Sequence, residues 1–163
     1  MRFLRPTPSG PRPAAEDAID KHITVLVADW NEPERKAMAG YLAEYECHVA
    51  EASDSSDTVS LVMRDPGQVV VMAEEMPPLD FVDLLPLVRR LTRSPIIVVG
   101  AGGQSAVLHA LLQGADAYMT RPVSRQELLA RIRRLLRASN GHGPKATMAM
   151  TLHLARAWAA RFS

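Results

Sequence analysis

A single cysteine, Cys47, stands among the 163 residues, so no intrachain disulfide can form and cysteine-rich metal motifs are excluded. Beside a predicted strand it reads as a small buried or edge residue. The chain also lacks an excess of either charge: 19 Lys and Arg stand against 18 Asp and Glu, a formal net charge of +1. Residues 22–137 are mildly acidic, whereas 138–163 carry Lys145, Arg156 and Arg161 and no acid. Such a field is too weak to argue for nucleic acid, because phosphate-backbone binding takes many clustered cations. No segment approaches the roughly 18–20 apolar residues of a membrane span, and residues 1–13 have arginines but no apolar signal region. The expectation is a soluble cytoplasmic protein.

What is present is enough hydrophobic sequence, 47% of the chain, for one compact domain with short extensions. Residues 1–21 hold Pro6, Pro8, Pro11 and Pro13, which interrupt helix and strand hydrogen bonding, and read as a flexible or disordered arm. Short β-branched apolar runs follow at 23–28, 49–52, 69–73, 96–99 and 117–119. Continuous runs of this kind suit strands covered by helices on both faces, as in a parallel sheet.

Helical patterns lie between them. Pro33 suits the first turn of a helix burying Ala37, Met38, Tyr41 and Leu42. Residues 56–64 would bury Val59, Val62 and Met63, and stop at Asp65-Pro-Gly67. In 81–92, Pro86 predicts a late start or a kink. Residues 105–113 end at Gly114, a natural left-handed cap. Ser124-Arg-Gln-Glu127 reads as a capping box ahead of a stripe formed by Leu128, Ile132, Leu135 and Leu136. Five strands alternating with five helices give an α/β, flavodoxin-like (βα)5 doubly wound domain over 22–137. Functional sites of such sheets lie at the carboxyl ends of the strands.

Those strand ends carry a resemblance. Val25-Leu-Val-Ala-Asp29-Trp-Asn-Glu32 is similar to the first strand and acidic loop of bacterial response-regulator receiver domains, where two adjacent acids help hold Mg²⁺. Met76-Pro77 resembles the Met-Pro that follows the phosphorylated aspartate, Pro95-Ile-Ile-Val-Val-Gly100-Ala101 the fourth strand, and Gly114-Ala-Asp-Ala-Tyr118-Met-Thr-Arg121-Pro122 the fifth strand with its Lys-Pro. The ordered set spans residues 23–137. Carried over position by position, the first loop acid is Asp29 and the second is Trp30. The phosphoacceptor is Ala73, the switch hydroxyl Gly100 and the phosphate-binding lysine Arg121, while the aromatic switch position remains as Tyr118.

The replacements remove chemistry. Receiver phosphorylation needs a carboxylate nucleophile, a carboxylate-held divalent cation and donors for the phosphoryl oxygens. Ala73 has no nucleophile, Trp30 is no anionic ligand and Gly100 has no hydroxyl, so no metal and no cofactor is expected. Arg121 keeps its charge as a planar bidentate donor; it either pairs with Asp29 in the old metal space or points to solvent. Trp30 either packs over the pocket or anchors a partner. Glu74 and Glu75 read first as a solvated acidic loop, with phosphate mimicry or phosphate acceptance as the alternatives.

Tyr118 would bias the face formed by the fourth and fifth helices and the fifth strand, one that the resemblance associates with partners or dimerisation. Arg125, Arg131, Arg133, Arg134 and Arg137 read as a solvated helix face, or as a dimer register if paired across a twofold with acids such as Asp116.

Residues 138–163 read as a linker, Asn140-Gly-His-Gly-Pro144, then an amphipathic helix over 147–162 carrying Trp158 and Phe162. Such a helix is marginal alone and should dock on something. His153, with no second ligand placed beside it, reads as a surface residue.

The leading expectation is a non-enzymatic pseudo-receiver that regulates signalling independently of phosphorylation. It would act by contact with a kinase, regulator or output protein and as a homodimer, without direct nucleic-acid binding. The alternative is a small-ligand sensor with an effector in the degenerate pocket. Residual phosphotransfer through Glu74 or Asp29 is a third.

Overall fold

The computed structural model describes residues 23–141. Its strands are β1 Thr24–Ala28, β2 His48–Ala52, β3 Val69–Ala73, β4 Glu75–Met76, β5 Leu79–Asp80, β6 Ile96–Gly100 and β7 Ala117–Thr120. Five of them run parallel in one sheet of order β2-β1-β3-β6-β7. The short β4 and β5 form an antiparallel ladder that follows β3. The helices are α1 Glu32–Glu44, α2 Ser55–Arg64, α3 Phe81–Leu91, α4 Gln104–Leu112 and α5 Arg125–Gly141.

Strand periodicity divides the core in two. Val25, Val27, Val69, Val71, Ile97 and Val99 face Tyr41 and Leu42 of α1 and Leu128, Ile132 and Leu136 of α5. The intervening Leu26, Val70, Met72, Ile96 and Val98 pack with Val62 of α2, Leu84, Leu85 and Val88 of α3, and Ala110 of α4. β3 and β6 are buried at every position, as their unbroken apolar runs require. Each fully buried Leu or Ile of α5 contributes about 1.5–3 kcal/mol, which fixes that helix on the sheet.

Local expectations fail at particular positions of α1, α2 and α3. In α1 Ala37 is exposed, and Arg35 takes a buried position because its guanidinium finds Glu51 and the Asp29 carbonyl. In α2 Met63 is 69% exposed. That helix instead buries Ser55 and Thr58, whose hydroxyl donates to the Asp54 carbonyl. α3 begins at Phe81 and continues through Pro86, so the late start does not occur. The bond forfeited by proline would have gone to the carbonyl of Val82, an exposed residue, where water can replace it.

The capping box is half formed. Glu127 N donates to Ser124 Oγ at 3.4 Å, but the Glu127 carboxylate pairs with Arg131 at 3.6 Å. Helix α5 runs on to Gly141, past the boundary expected at 137 and into the expected linker. The expected N-terminal arm, and the tail segment with Trp158 and His153, lie outside the described residues.

Candidate functional site

Asp29, Ala73, Gly100 and Arg121 all fall at or just beyond the carboxyl ends of strands, on either side of the point where the chain reverses direction across the sheet between β1 and β3. Asp29 is fully buried. Its backbone N–H donates to the Ala52 carbonyl at 3.0 Å, and its own carbonyl accepts from Arg35 Nη1 at 2.9 Å. One carboxylate oxygen accepts from Asn31 N at 2.9 Å and the other from Arg121 Nη2 at 2.9 Å. Arg121 Nη1 also pairs with Glu34 in the first turn of α1. The guanidinium therefore bridges a buried and a half-exposed carboxylate, the bidentate task for which arginine is better shaped than lysine.

The Asp29–Asn31 bond is an Asx turn, and Asn31 then caps α1 by accepting from Glu34 N at 3.3 Å. Residue 30 sits at the apex of that turn and is thrown outward. Trp30 is 48% exposed, which corrects the expectation that it packs over the pocket. The turn satisfies an oxygen of the buried Asp29 carboxylate and the part-buried Asn31 N–H.

The second half of the site surrounds Gly100. Glu74, directly after β3, sends its carboxylate across to the β6–α4 loop, where Oε2 accepts from Ala101 N at 3.2 Å and from the Tyr118 hydroxyl at 3.1 Å. Tyr118 Oη in turn accepts from Gly102 N at 3.0 Å. A Cβ on Gly100 would fall inside the contact radii of Glu74 Oε2 and Tyr118 Oη, so only glycine leaves room for this junction. Glu74 is thus a half-buried side chain whose carboxylate is engaged by two donors, while Glu75 is exposed as a solvated loop residue would be.

Burial, with a further contribution from the Glu74 carboxylate, raises the Tyr118 pKa above 10 against the opposing pull of the Gly102 N–H. The difference in phenolate absorbance between the wild type and Y118F should titrate above pH 10, with a lower midpoint in E74Q. Because the folded value lies above the unfolded one, the linked stabilisation is complete below about pH 10 and is lost as pH rises through the folded value. A Tyr118 midpoint at or below 10 would contradict the junction's geometry.

Arg125 lies over the Tyr41 ring of α1, 5.7 Å from its centroid. Asp116 Oδ2 is engaged within its own chain, by Arg89 Nη1 at 3.1 Å and Ile96 N at 2.9 Å. Sequence reasoning missed Glu34, Arg35, Glu51 and the inward turn of Glu74. The first turn of α1 offered a signal for two of these, since an acid and an arginine there face the strand ends one turn beyond Asp29.

Magnesium does not fit this donor set. Both oxygens of Asp29 are engaged, residue 30 is an outward tryptophan, and a guanidinium supplies the positive charge. Among the described residues no group of three His, Cys, Asp or Glu side chains could hold a metal ion.

A five-stranded parallel sheet in this order, with acid, basic and aromatic side chains converging at its carboxyl edge, defines a receiver-type signalling fold. The response regulator receiver domain family matches residues 25–133, and the chain belongs to that family. It is 34% identical over 117 residues to the probable transcriptional regulator ycf27 of Guillardia theta, covering 71% of this chain and 46% of that protein. The chain spans about half the length of the curated relatives it matches.

Among solved structures, the receiver domain of Francisella response regulator 1452 is 27% identical at a TM-score of 0.68, with 72% of this chain and 98% of that one covered. The receiver domain of the sensor histidine kinase PA1611 of Pseudomonas aeruginosa, which has a magnesium ion coordinated in its active-site cleft, shares the fold at 22% identity and a TM-score of 0.65. That alignment covers 71% of this chain and 98% of that domain. No helix among the described residues is long and apolar enough to cross a membrane.

Proposed function

We propose that this chain is a pseudo-receiver: a non-enzymatic, phosphorylation-independent module of two-component signalling that works through protein contacts. The observation that carries this reading is the Asp29–Arg121–Glu34 bridge beside a strand end where Ala73 offers no nucleophile. In the PA1611 receiver domain the cleft coordinates magnesium; here a side-chain cation engages the buried acid that would help hold one. The partners would be a signalling kinase, a regulator or an output protein, with self-association into a homodimer as a further mode of contact.

The alternative of an anionic effector bound by Arg121 is weakened by the same geometry, because two carboxylates already share that guanidinium and Glu74 adds negative charge nearby. The test is incubation with acetyl phosphate and Mg²⁺ followed by intact-mass spectrometry. Unmodified protein with an unchanged amide spectrum is expected. A stoichiometric phosphoryl adduct that hydroxylamine removes, as it does an acyl phosphate, would overturn the reading.

A further inference from the structure

Three observations converge on Gly100. The Glu74 carboxylate and the Tyr118 hydroxyl meet where a side chain on residue 100 would project. Together they accept the N–H groups of Ala101 and Gly102, the two residues that lead to Gly103, the N-cap of α4. That helix carries no Asp, Glu, Lys or Arg, yet Ala106, Val107, Leu108, Leu111 and Leu112 are only half-buried. The place where α4 starts is therefore tied, through two hydrogen-bond acceptors, to the end of β3.

We propose that Glu74, Gly100 and Tyr118 form a built-in lock that holds the Tyr118 ring and the loop ahead of α4 in one arrangement without covalent modification, so that the apolar surface of α4 is kept in a constant geometry. This deepens the phosphorylation-independent reading and rests on it for its purpose. The lock replaces a switch by three fixed parts. Glycine supplies the space, glutamate one oxygen that accepts from both the Ala101 N–H and the Tyr118 hydroxyl, and tyrosine a hydroxyl that donates to that oxygen while accepting from the loop. Removing any one part leaves the other two with broken bonds at a partly buried position.

Hydrogen exchange of individual amides in the full chain tests this. E74A should speed exchange at Ala101 and Gly102 by about tenfold, the equivalent of ~1.4 kcal/mol of local opening. Exchange in β3 and β6 should be unchanged. E74Q, which keeps an amide oxygen, should restore much of the protection. G100A should give the same loop-specific acceleration with Glu74 intact, because its methyl group must displace the carboxylate. E74M, of similar length but with no oxygen acceptor, should leave the acceleration in place; protection restored by E74M as fully as by E74Q would show that Glu74 acts by packing and would overturn the lock.

Unchanged exchange at Ala101 and Gly102 in both E74A and G100A would overturn the lock, as would acceleration spread evenly over the sheet. The result is separable from the phosphodonor experiment. An unphosphorylatable protein with no protection at these amides would lose the lock and keep the pseudo-receiver, whereas a phosphorylated protein with a protected loop would do the reverse.

Discussion

Replacing Arg121 by alanine is expected to destabilise the domain by roughly 1–3 kcal/mol, because it leaves a fully buried carboxylate with one of its two donors missing. Most of that cost falls on Asp29. Glu34 is nearly half exposed and loses little when its partner goes, since water and salt screen such pairs. Arg121→Lys should recover part of the loss but not all of it, as an ammonium cannot bridge both acids in the same plane.

The double variant D29N/R121A separates charge from packing. If the penalty comes from an uncompensated buried charge, neutralising Asp29 should make the double variant less unstable than the sum of the two single ones. Urea denaturation with equal slopes for all variants is the measurement. An R121A midpoint indistinguishable from wild type would mean that the bridge contributes no net stability, and that the guanidinium is not what compensates Asp29.

Much of the architecture was legible because it rests on one-dimensional patterns. The unbroken runs of β3 and β6 predict strands covered on both faces, and the Gly114 stop is a left-handed residue at φ +111° in the structure. The juxtaposition of Asp29 with Arg121 followed from their positions at the ends of the first and fifth strands of the sheet. The pattern could not show the competition between side chains for a few backbone donors. Glu74 turns inward because Gly100 vacates space and Ala101 and Tyr118 offer donors, a three-way condition spread over residues 74–118. Trp30 is exposed at the apex of a turn closed by the Asn31 N–H on Asp29. Neither outcome follows from the residue's own hydropathy. The exposure of Met63 has no comparable explanation in its contacts.

Restoring the missing nucleophile alone should not restore the reaction. Ala73→Asp returns a carboxylate to the end of β3, but that position is 2% exposed and, among the described residues, no group of three His, Cys, Asp or Glu side chains is assembled to hold a divalent cation. Asp29 remains committed to Asn31 and Arg121, and residue 30 remains an outward tryptophan at the apex of its turn. The A73D protein is therefore expected to stay unmodified by acetyl phosphate and Mg²⁺. It should also be less stable than wild type, since a desolvated carboxylate is added next to two others.

Gaining the reaction requires the other parts to change together: W30D for a second metal-binding acid, R121K to give up the two-acid bridge, and G100T for a hydroxyl. The last substitution is admissible only with E74A, because the threonine side chain would occupy the space that the Glu74 carboxylate holds. Combined with A73D, these changes should take the protein from no detectable adduct to Mg²⁺-dependent labelling of the carboxylate introduced at position 73, read by intact mass and peptide mapping. Full labelling of A73D by itself would show that the arginine bridge and Trp30 do not disable the pocket. A folded combined variant that stays inert would show that these five positions are not the ones that separate this chain from a phosphorylatable receiver.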